Sequence, residues 1–214
     1  MSEAIPIVHV VDDDKSFLAA VSRLLKAAGY KVKTFASAIE LLDEPGDTAG
    51  CVVADLRMPG MNGLDLQQAV ISRANALPVV FLTGEGDIPT SVMAMRQGAE
   101  DFLTKTAPKE ELFAAIDRAI ARNARQRQDS ARSRAVHDRI ATLTPREFGV
   151  LRQVVEGRLN KQIAADLGIT ERTVKLHRTA ITTKLQVRSV AELTRLVQAA
   201  GLFDEHPPTF PKGQ

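Results

Sequence analysis

Apolar residues fall into two rhythms along this chain, and the change between them divides it near residue 121. Before that point, short apolar runs alternate with segments whose apolar positions recur every three or four residues. Ile7–Val11, Gly50–Ala54 and Pro78–Leu82 are runs of the first kind. They read as parallel strands, and residues 52–54 and 79–82 are apolar enough to be covered on both faces. Lys31–Phe35 alternates charged and apolar positions like an edge strand, and Asp101–Leu103 is a short fifth strand. Between them lie helical patterns. Ser16–Ala28 puts Phe17, Val21, Leu24 and Leu25 on one face and stops at Gly29. Ser37 caps a helix to about Asp43, and Gly63–Arg73 carries Leu64, Leu66, Val70 and Ile71. Thr90–Gln97 ends at Gly98, and Lys109–Ala121 turns Leu112, Ile116 and Ile120 inward. Five strands alternating with five helices predict a doubly wound, five-stranded parallel α/β sheet.

The second half has no strand pattern. Thr144-Pro145-Arg146-Glu147 is a capping box with proline at the first helical position, opening a helix with Phe148, Leu151, Val154 and Val155 that ends at Gly157. Asn160 opens a short helix, Lys161–Leu167, stopped by Gly168. Thr170 caps a longer one over Glu171–Leu185. Ser189-Val190-Ala191-Glu192 is another capping box, leading Leu193, Leu196 and Val197. The prediction is an all-α unit of four helices over residues 142–203. Residues 122–141 have little to bury and read as a linker, helical or flexible. The proline-rich end, 204–214, reads as a disordered tail.

Charge sharpens the division. Residues 1–120 hold 11 Lys+Arg against 17 Asp+Glu, a balance of −6; residues 121–214 hold 17 against 9, a balance of +8. A basic half beside an acidic one points to a polyanionic partner. The single cysteine, Cys51, excludes an intramolecular disulfide framework. Four scattered histidines with one cysteine argue against zinc. No signal-peptide pattern opens the chain, and no apolar stretch nears the ~20 residues that span a bilayer. The expectation is a cytoplasmic protein without a membrane partner.

The chemistry sits at the strand ends. Asp55 follows Cys51-Val52-Val53-Ala54, and Asp12-Asp13-Asp14 follows the first strand; later strands end at Thr83 and near Lys105. Open α/β sheets hold ligands at the carboxyl edge of their strands, so carboxylates, a hydroxyl and an ammonium share one crevice. Such a set suits Mg²⁺ binding and phosphoryl transfer to an aspartate. Magnesium takes one or two carboxylates and keeps several waters, which matches Asp12 and Asp13. Lys105 and Thr83 would each meet a phosphoryl oxygen. No general base is required, because an ordinary aspartate is ionised at neutral pH. Each piece alone has a plainer reading: a solvated turn, a turn residue, a surface lysine. Their joint placement at four strand ends decides against that.

Residues 5–120 resemble the receiver domain of bacterial two-component response regulators, a flavodoxin-like fold. The resemblance rests on Val-Val-Asp-Asp-Asp (10–14), Asp-Leu-Arg-Met-Pro-Gly-Met-Asn-Gly (55–63), Leu-Thr-Gly (82–84) and Asp-Phe-Leu-Thr-Lys (101–105). It implies that Asp55 accepts a phosphoryl group from a phosphohistidine on a sensor histidine kinase. It implies Asp12 and Asp13 as the metal acids beside Asp55, with the Arg57 backbone carbonyl as a further ligand, and Thr83 with Phe102 as a switch pair. One departure stands out. The family usually has Lys-Pro where this chain has Lys105-Thr106. A cis bond before a residue other than proline costs ~3–4 kcal/mol, so a trans bond or a strained cis one is expected.

Lys161–Leu167, the turn Gly168-Ile169-Thr170 and Glu171–Leu185 form a helix-turn-helix pattern. At 100° per residue, Val174, Ile181 and Leu185 share the inner face, and Arg172, Lys175, Leu176, Thr179 and Thr183 the opposite one. Cations, hydroxyls and one apolar side chain suit a major groove, although a solvated helix face is the plainer reading. His177 and Arg178 flank the inner face and suit packing or phosphate contact. Residues 143–200 resemble the LuxR-type DNA-binding domain through Leu-Thr-Pro-Arg-Glu (143–147), Asn-Lys-Gln-Ile-Ala (160–164), Thr-Val-Lys-Leu-His-Arg (173–178) and Lys-Leu-Gln-Val-Arg-Ser (184–189). The candidate contacts to double-stranded promoter DNA are Lys161, Thr170, Arg172, Thr173, Lys175, Leu176, Thr179 and Thr183. The whole resembles the FixJ/NarL type of regulator, with a receiver over 1–121. That likeness implies homodimerisation on phosphorylation and no enzymatic turnover beyond slow self-dephosphorylation. Two other readings remain. One is a constitutive DNA binder with a weakly phosphorylated receiver. The other is a phosphatase with an aspartyl nucleophile, which typically needs a second acid where this chain has Arg57.

Overall fold

The computed structural model describes residues 5–44, 49–73, 76–84 and 88–200. The tail read as disordered lies outside the described residues. The chain divides into two compact units, Met1–Gln128 and Asp129–Gln214.

In the first unit, β1 (Ile7–Val11), β2 (Lys31–Phe35), β3 (Gly50–Ala54), β4 (Val79–Thr83) and β5 (Asp101–Thr104) form one sheet in the order β2-β1-β3-β4-β5. Every pairing is parallel. The helices are α1 (Lys15–Ala27), α2 (Ala38–Leu42), α3 (Gly63–Ile71), α4 (Ile88–Arg96) and α5 (Lys109–Ala141). Crossover helices cover both sheet faces, so β3 and β4 are buried along their whole length. One face packs Val52, Ala54 and Phe81 against Leu66 and Val70 of α3. The other packs Val8, Val53 and Val80 against Leu25 of α1 and Ile116 of α5.

Local chemistry sets the ends of these elements. Asp14 caps α1, its side chain accepting from the backbone N–H groups of Ser16 and Phe17. Ser37 and Asn62 cap α2 and α3 in the same way. Some faces differ from the pattern reading. Leu18 is buried on α1, beside the positions that the periodicity picks out. On α3, Ile71 is exposed and Gln67 is buried instead, its Nε2 donating to the Ala94 carbonyl at 3.2 Å. Residues 122–141 continue α5, and they do bury side chains. Asn123 accepts from the Gly50 N–H at 3.1 Å, and Ile140 joins the core of the second unit.

The second unit contains α6 (Pro145–Val155), α7 (Asn160–Leu167), α8 (Glu171–Leu185) and α9 (Val190–Ala199). Val150, Leu151, Ile163, Val174, Ile181, Leu185, Leu193 and Val197 form its core. The capping box of α6 is complete: Glu147 N–H donates to Thr144 Oγ1 at 3.2 Å, and Thr144 N–H donates to Glu147 Oε2 at 2.7 Å. The α7–α8 turn closes on Gly168, whose φ of 64° suits glycine.

Candidate functional site

Strand register brings the acids together. Val11 of β1 lies opposite both Phe35 of β2 and Ala54 of β3. The residues that follow, Asp12 and Asp55, therefore leave the sheet side by side, and the Asp55 N–H donates to the Val11 carbonyl at 2.8 Å. The connection after β1 leads to β2 on one side and the connection after β3 to β4 on the other, so the two acids sit at the sheet's topological switch point. Asp12, Asp13 and Asp55 each offer an oxygen within 4.8 Å of the others. Asp12 and Asp55 are buried and Asp13 is exposed.

Lys105 arrives from the far strand. Its N–H donates to the Thr83 carbonyl at 2.8 Å, which fixes the backbone at the end of β5. Its Nζ lies 2.5 Å from Asp12 Oδ2 and 3.7 Å from Asp55 Oδ2. There is no cis peptide among the described residues, so the Lys105–Thr106 bond is trans. Thr83 is buried beside these groups at the end of β4. Phe102 is half-buried on β5, its ring 6.0 Å from that of Phe81. Arg57 has an exposed side chain on the segment between β3 and α3.

Burial pushes the Asp55 carboxyl above its ordinary range; Lys105 opposes that shift, while Asp12 and Asp13 add to it. Among the described residues, three carboxylates thus face one ammonium, leaving a deficit of positive charge, and Asp55 Oδ1 is buried with no hydrogen-bond partner. A hard divalent cation fits such a donor set: oxygen ligands only, a buried acceptor left over, and an exposed Asp13 through which water can reach. Asp12, Asp13 and Asp55 are the side chains that would hold it.

A second group of residues gathers on α8. Arg172, Lys175, Leu176, Thr179 and Thr183 are exposed, and Leu176 keeps 64 % of its surface in solvent. Val174, Ile181 and Leu185 on the opposite face are buried. Thr170 caps the helix, bonding the Thr173 N–H at 3.2 Å and the Thr173 hydroxyl at 2.9 Å. Lys161 is exposed on α7. Pattern reasoning missed several contacts that set these groups in place. Arg178 donates to Asn160 Oδ1 at 3.0 Å, tying α8 to α7. Lys184 donates to Glu147 Oε2 at 2.6 Å, tying α8 to α6. Phe17 lies against Lys105. The aromatic at 17 and the acid-to-lysine pairing across α6 and α8 are visible in the sequence only as residue types, because no periodicity links them. No helix among the described residues is long and apolar enough to cross a membrane.

Comparison with known proteins agrees with both halves. Residues 8–117 match the response regulator receiver domain, and residues 141–197 match the bacterial regulatory proteins of the luxR family. The chain is 42 % identical over 214 residues to the transcriptional regulatory protein FixJ of Azorhizobium caulinodans, covering 98 % of this chain and 100 % of that one. It is 39 % identical over 199 residues to the response regulator protein TmoT of Ectopseudomonas mendocina, covering 92 % and 90 %. Among solved structures, the response regulator StyR aligns with a TM-score of 0.81 at 43 % identity, over 91 % of this chain and 99 % of that one. Full-length FixJ from B. japonicum aligns with a TM-score of 0.56 at 36 % identity, over 94 % and 100 %. A sheet whose switch point gathers three acids and a lysine, followed by a helix-turn-helix unit, thus meets its relatives over nearly its whole length: the chain belongs to the two-component response regulators, as a transcription regulator of the FixJ type with a receiver domain and a LuxR-family domain.

Proposed function

We propose that this regulator takes a phosphoryl group onto Asp55 from a phosphohistidine of a sensor histidine kinase, and that the loaded form dimerises and binds promoter DNA through α8. The observation that carries the reading is the position of the Lys105 ammonium, within 4 Å of both Asp12 and Asp55. In the transfer, an Asp55 carboxylate oxygen forms the new O–P bond as the donor's N–P bond breaks, and the kinase imidazole leaves. Lys105 lies where it can shift from Asp12 toward the arriving phosphoryl oxygens, and Thr83 stands at the neighbouring strand end to donate a hydrogen bond. A bound Mg²⁺ would neutralise charge on the acids and on the phosphoryl oxygens. The chain is a phosphoryl acceptor that clears its own acyl phosphate slowly, and it turns over no other substrate.

Loading adds negative charge beside Thr83, and Thr83 and Phe102 form the switch pair that reads it out. Repacking of the surface that carries α4 and β5 then pairs two receivers. Pairing raises the effective concentration of two α8 helices over two half-sites. On α8, Arg172 and Lys175 suit guanine edges or phosphates, Thr179 and Thr183 suit mixed contacts, and Leu176 suits a thymine methyl. Lys161, Thr170 and Thr173 suit the backbone at the helix's N-terminal end.

The test compares wild type with Asp55→Asn. Acid-stable gel analysis after incubation with a small phosphodonor and Mg²⁺ reads the modification. Light scattering after beryllofluoride treatment reads the dimer, and a promoter-fragment titration reads DNA binding. Wild type is expected to be modified, to dimerise and to bind more tightly; Asp55→Asn is expected to do none of these. Equal dimerisation and DNA binding by both proteins would replace the switch with constitutive binding.

A further inference from the structure

We propose that Phe17 is a positioning residue for Lys105, holding the ammonium beside the acid cluster with the face of its ring; this rests on the reading that Lys105 contacts the incoming phosphoryl group. Lys105 Nζ lies 4.2 Å from the Phe17 ring centroid. That is well inside the ~6 Å over which a ring face attracts a cation. The Lys105 side chain is 21 % exposed, so solvent only partly screens the contact.

The ring is set in place by the acid segment itself. Asp14 N–H donates to Asp12 Oδ1 at 2.9 Å, which orients the first acid. Asp14 Oδ1 in turn accepts from the Ser16 and Phe17 N–H groups at 2.8 and 3.2 Å. One short stretch therefore fixes Asp12, caps α1 and aims the first aromatic of that helix. On the other side, strand pairing holds the Lys105 backbone, and the Thr104 and Thr106 hydroxyls are 3.2 Å apart. The lysine stem is flexible, with four rotatable bonds, and needs contacts to keep its head in one place. Asp12 is one such contact, but Asp12 is also a candidate ligand for a cation. Any cation there competes with the lysine for that oxygen. The ring face is neutral, binds no metal and does not enter this competition.

A phenylalanine that only filled space would be replaced by leucine or methionine without consequence beyond stability. The test uses the full chain with Phe17→Leu, Phe17→Met and Phe17→Tyr. Initial rates of Asp55 phosphorylation are measured with acetyl phosphate at saturating Mg²⁺, and thermal midpoints are measured alongside. In the metal-free protein, NMR reads the ring-current upfield shift of the Lys105 ε-methylene, assigned by its loss in Lys105→Arg. Leucine and methionine are expected to abolish the upfield shift and to slow phosphorylation about three- to tenfold. Tyrosine is expected to keep the shift and a rate within about twofold of wild type. Wild-type rates in the leucine and methionine proteins would overturn the proposal. So would a tyrosine protein as slow as the leucine one, or an unshifted Lys105 ε-methylene in wild type. If leucine prevents folding, methionine and tyrosine decide. If wild type is never modified on Asp55, the phosphoacceptor reading fails, and the ring-current measurement still decides the Phe17 contact.

Discussion

Two helical glycines give the same substitution opposite signs. Gly63 opens α3, and its N–H donates to the Leu56 carbonyl at 2.9 Å. A Cβ there would stand 2.5 Å from the Asp55 carbonyl oxygen, 2.8 Å from Phe81 Cε1 and 3.0 Å from Leu56 Cα. Carbon atoms at rest sit about 3.5–4.0 Å apart, so roughly 0.5–1 Å of movement is needed. Two of the obstacles are backbone atoms of the segment that carries Asp55, and the third is a fully buried ring, so nothing yields cheaply. Overpacking of this kind costs about 1–3 kcal/mol, offset by the ~0.5–1 kcal/mol gained when a helix loses a glycine. Gly63→Ala should therefore lower the thermal midpoint of the receiver by up to about 10 °C. It should also slow Asp55 phosphorylation, since a displacement of about 1 Å costs up to ~100-fold in a positioned reaction. Gly149 lies within α6 with nothing within 4 Å of its added Cβ. Gly149→Ala should stabilise its unit by about 0.5–1 kcal/mol and leave phosphorylation unchanged. Calorimetry on the full chain, with acetyl phosphate labelling of both variants, checks the pair. A Gly63→Ala protein as stable and as readily modified as wild type would refute the reasoning.

Glu147→Ala removes a helix cap and the acidic partner of Lys184, whose side chain is 34 % exposed, so solvent screens the pair. The expected loss is about 2–3 kcal/mol, read by hydrogen exchange in α6 and α8. Lys184 holds the Glu147 carboxyl below its ordinary range, so this stability is full above pH 4.5 and fades as pH falls below it; Glu147→Gln should differ from wild type at pH 6, and the difference should shrink as pH falls below 4.5. Burial pushes the His9 imidazole below its ordinary 6.5, against the hydrogen bond to the Cys51 carbonyl. The protein should therefore lose stability as pH falls through 6.5, and His9→Leu should flatten that slope in urea titrations. Asp55 is pushed the other way, so its contribution falls as pH rises through 3.8 and beyond. Asp55→Asn should melt higher than wild type at pH 7 without metal, and should gain less from added Mg²⁺, whose binding stabilises by mass action.

Most of the first unit was legible because parallel strands buried on both faces leave contiguous apolar runs. Strand ends then located Asp12, Asp55 and Thr83 along the chain before any geometry was known. Periodicity gives the face of a helix but not its neighbour, and the misses follow from that. Ile71 continues the apolar rhythm of α3 but is exposed at the helix's last position, while Gln67 is buried because the Ala94 carbonyl lies within reach of its amide. Residues 122–141 looked empty of core residues because their anchors are a polar side chain, Asn123, which bonds Gly50 N–H and the Ala76 carbonyl, and a lone apolar one, Ile140, near the far end. The Glu147 half of its pairing was readable as a cap; the Lys184 half needed the fold.

The departure at Lys105-Thr106 shows which constraint governs the site. If the residue after the lysine set its direction, a threonine with a trans bond would leave the ammonium away from the acids. It lies 2.5 Å from Asp12 instead. The Lys105 N–H is already held by the Thr83 carbonyl, in continuation of the β4–β5 ladder that pairs Thr83 with Thr104. The sheet therefore fixes where the stem starts, and Asp12 with the Phe17 ring fixes where it ends. Changes downstream of Lys105 should accordingly alter the site less than changes in α1, some ninety residues earlier in the sequence. Thr106→Pro against Phe17→Leu is the direct comparison, and a larger effect of the proline on phosphorylation rate would reverse that order.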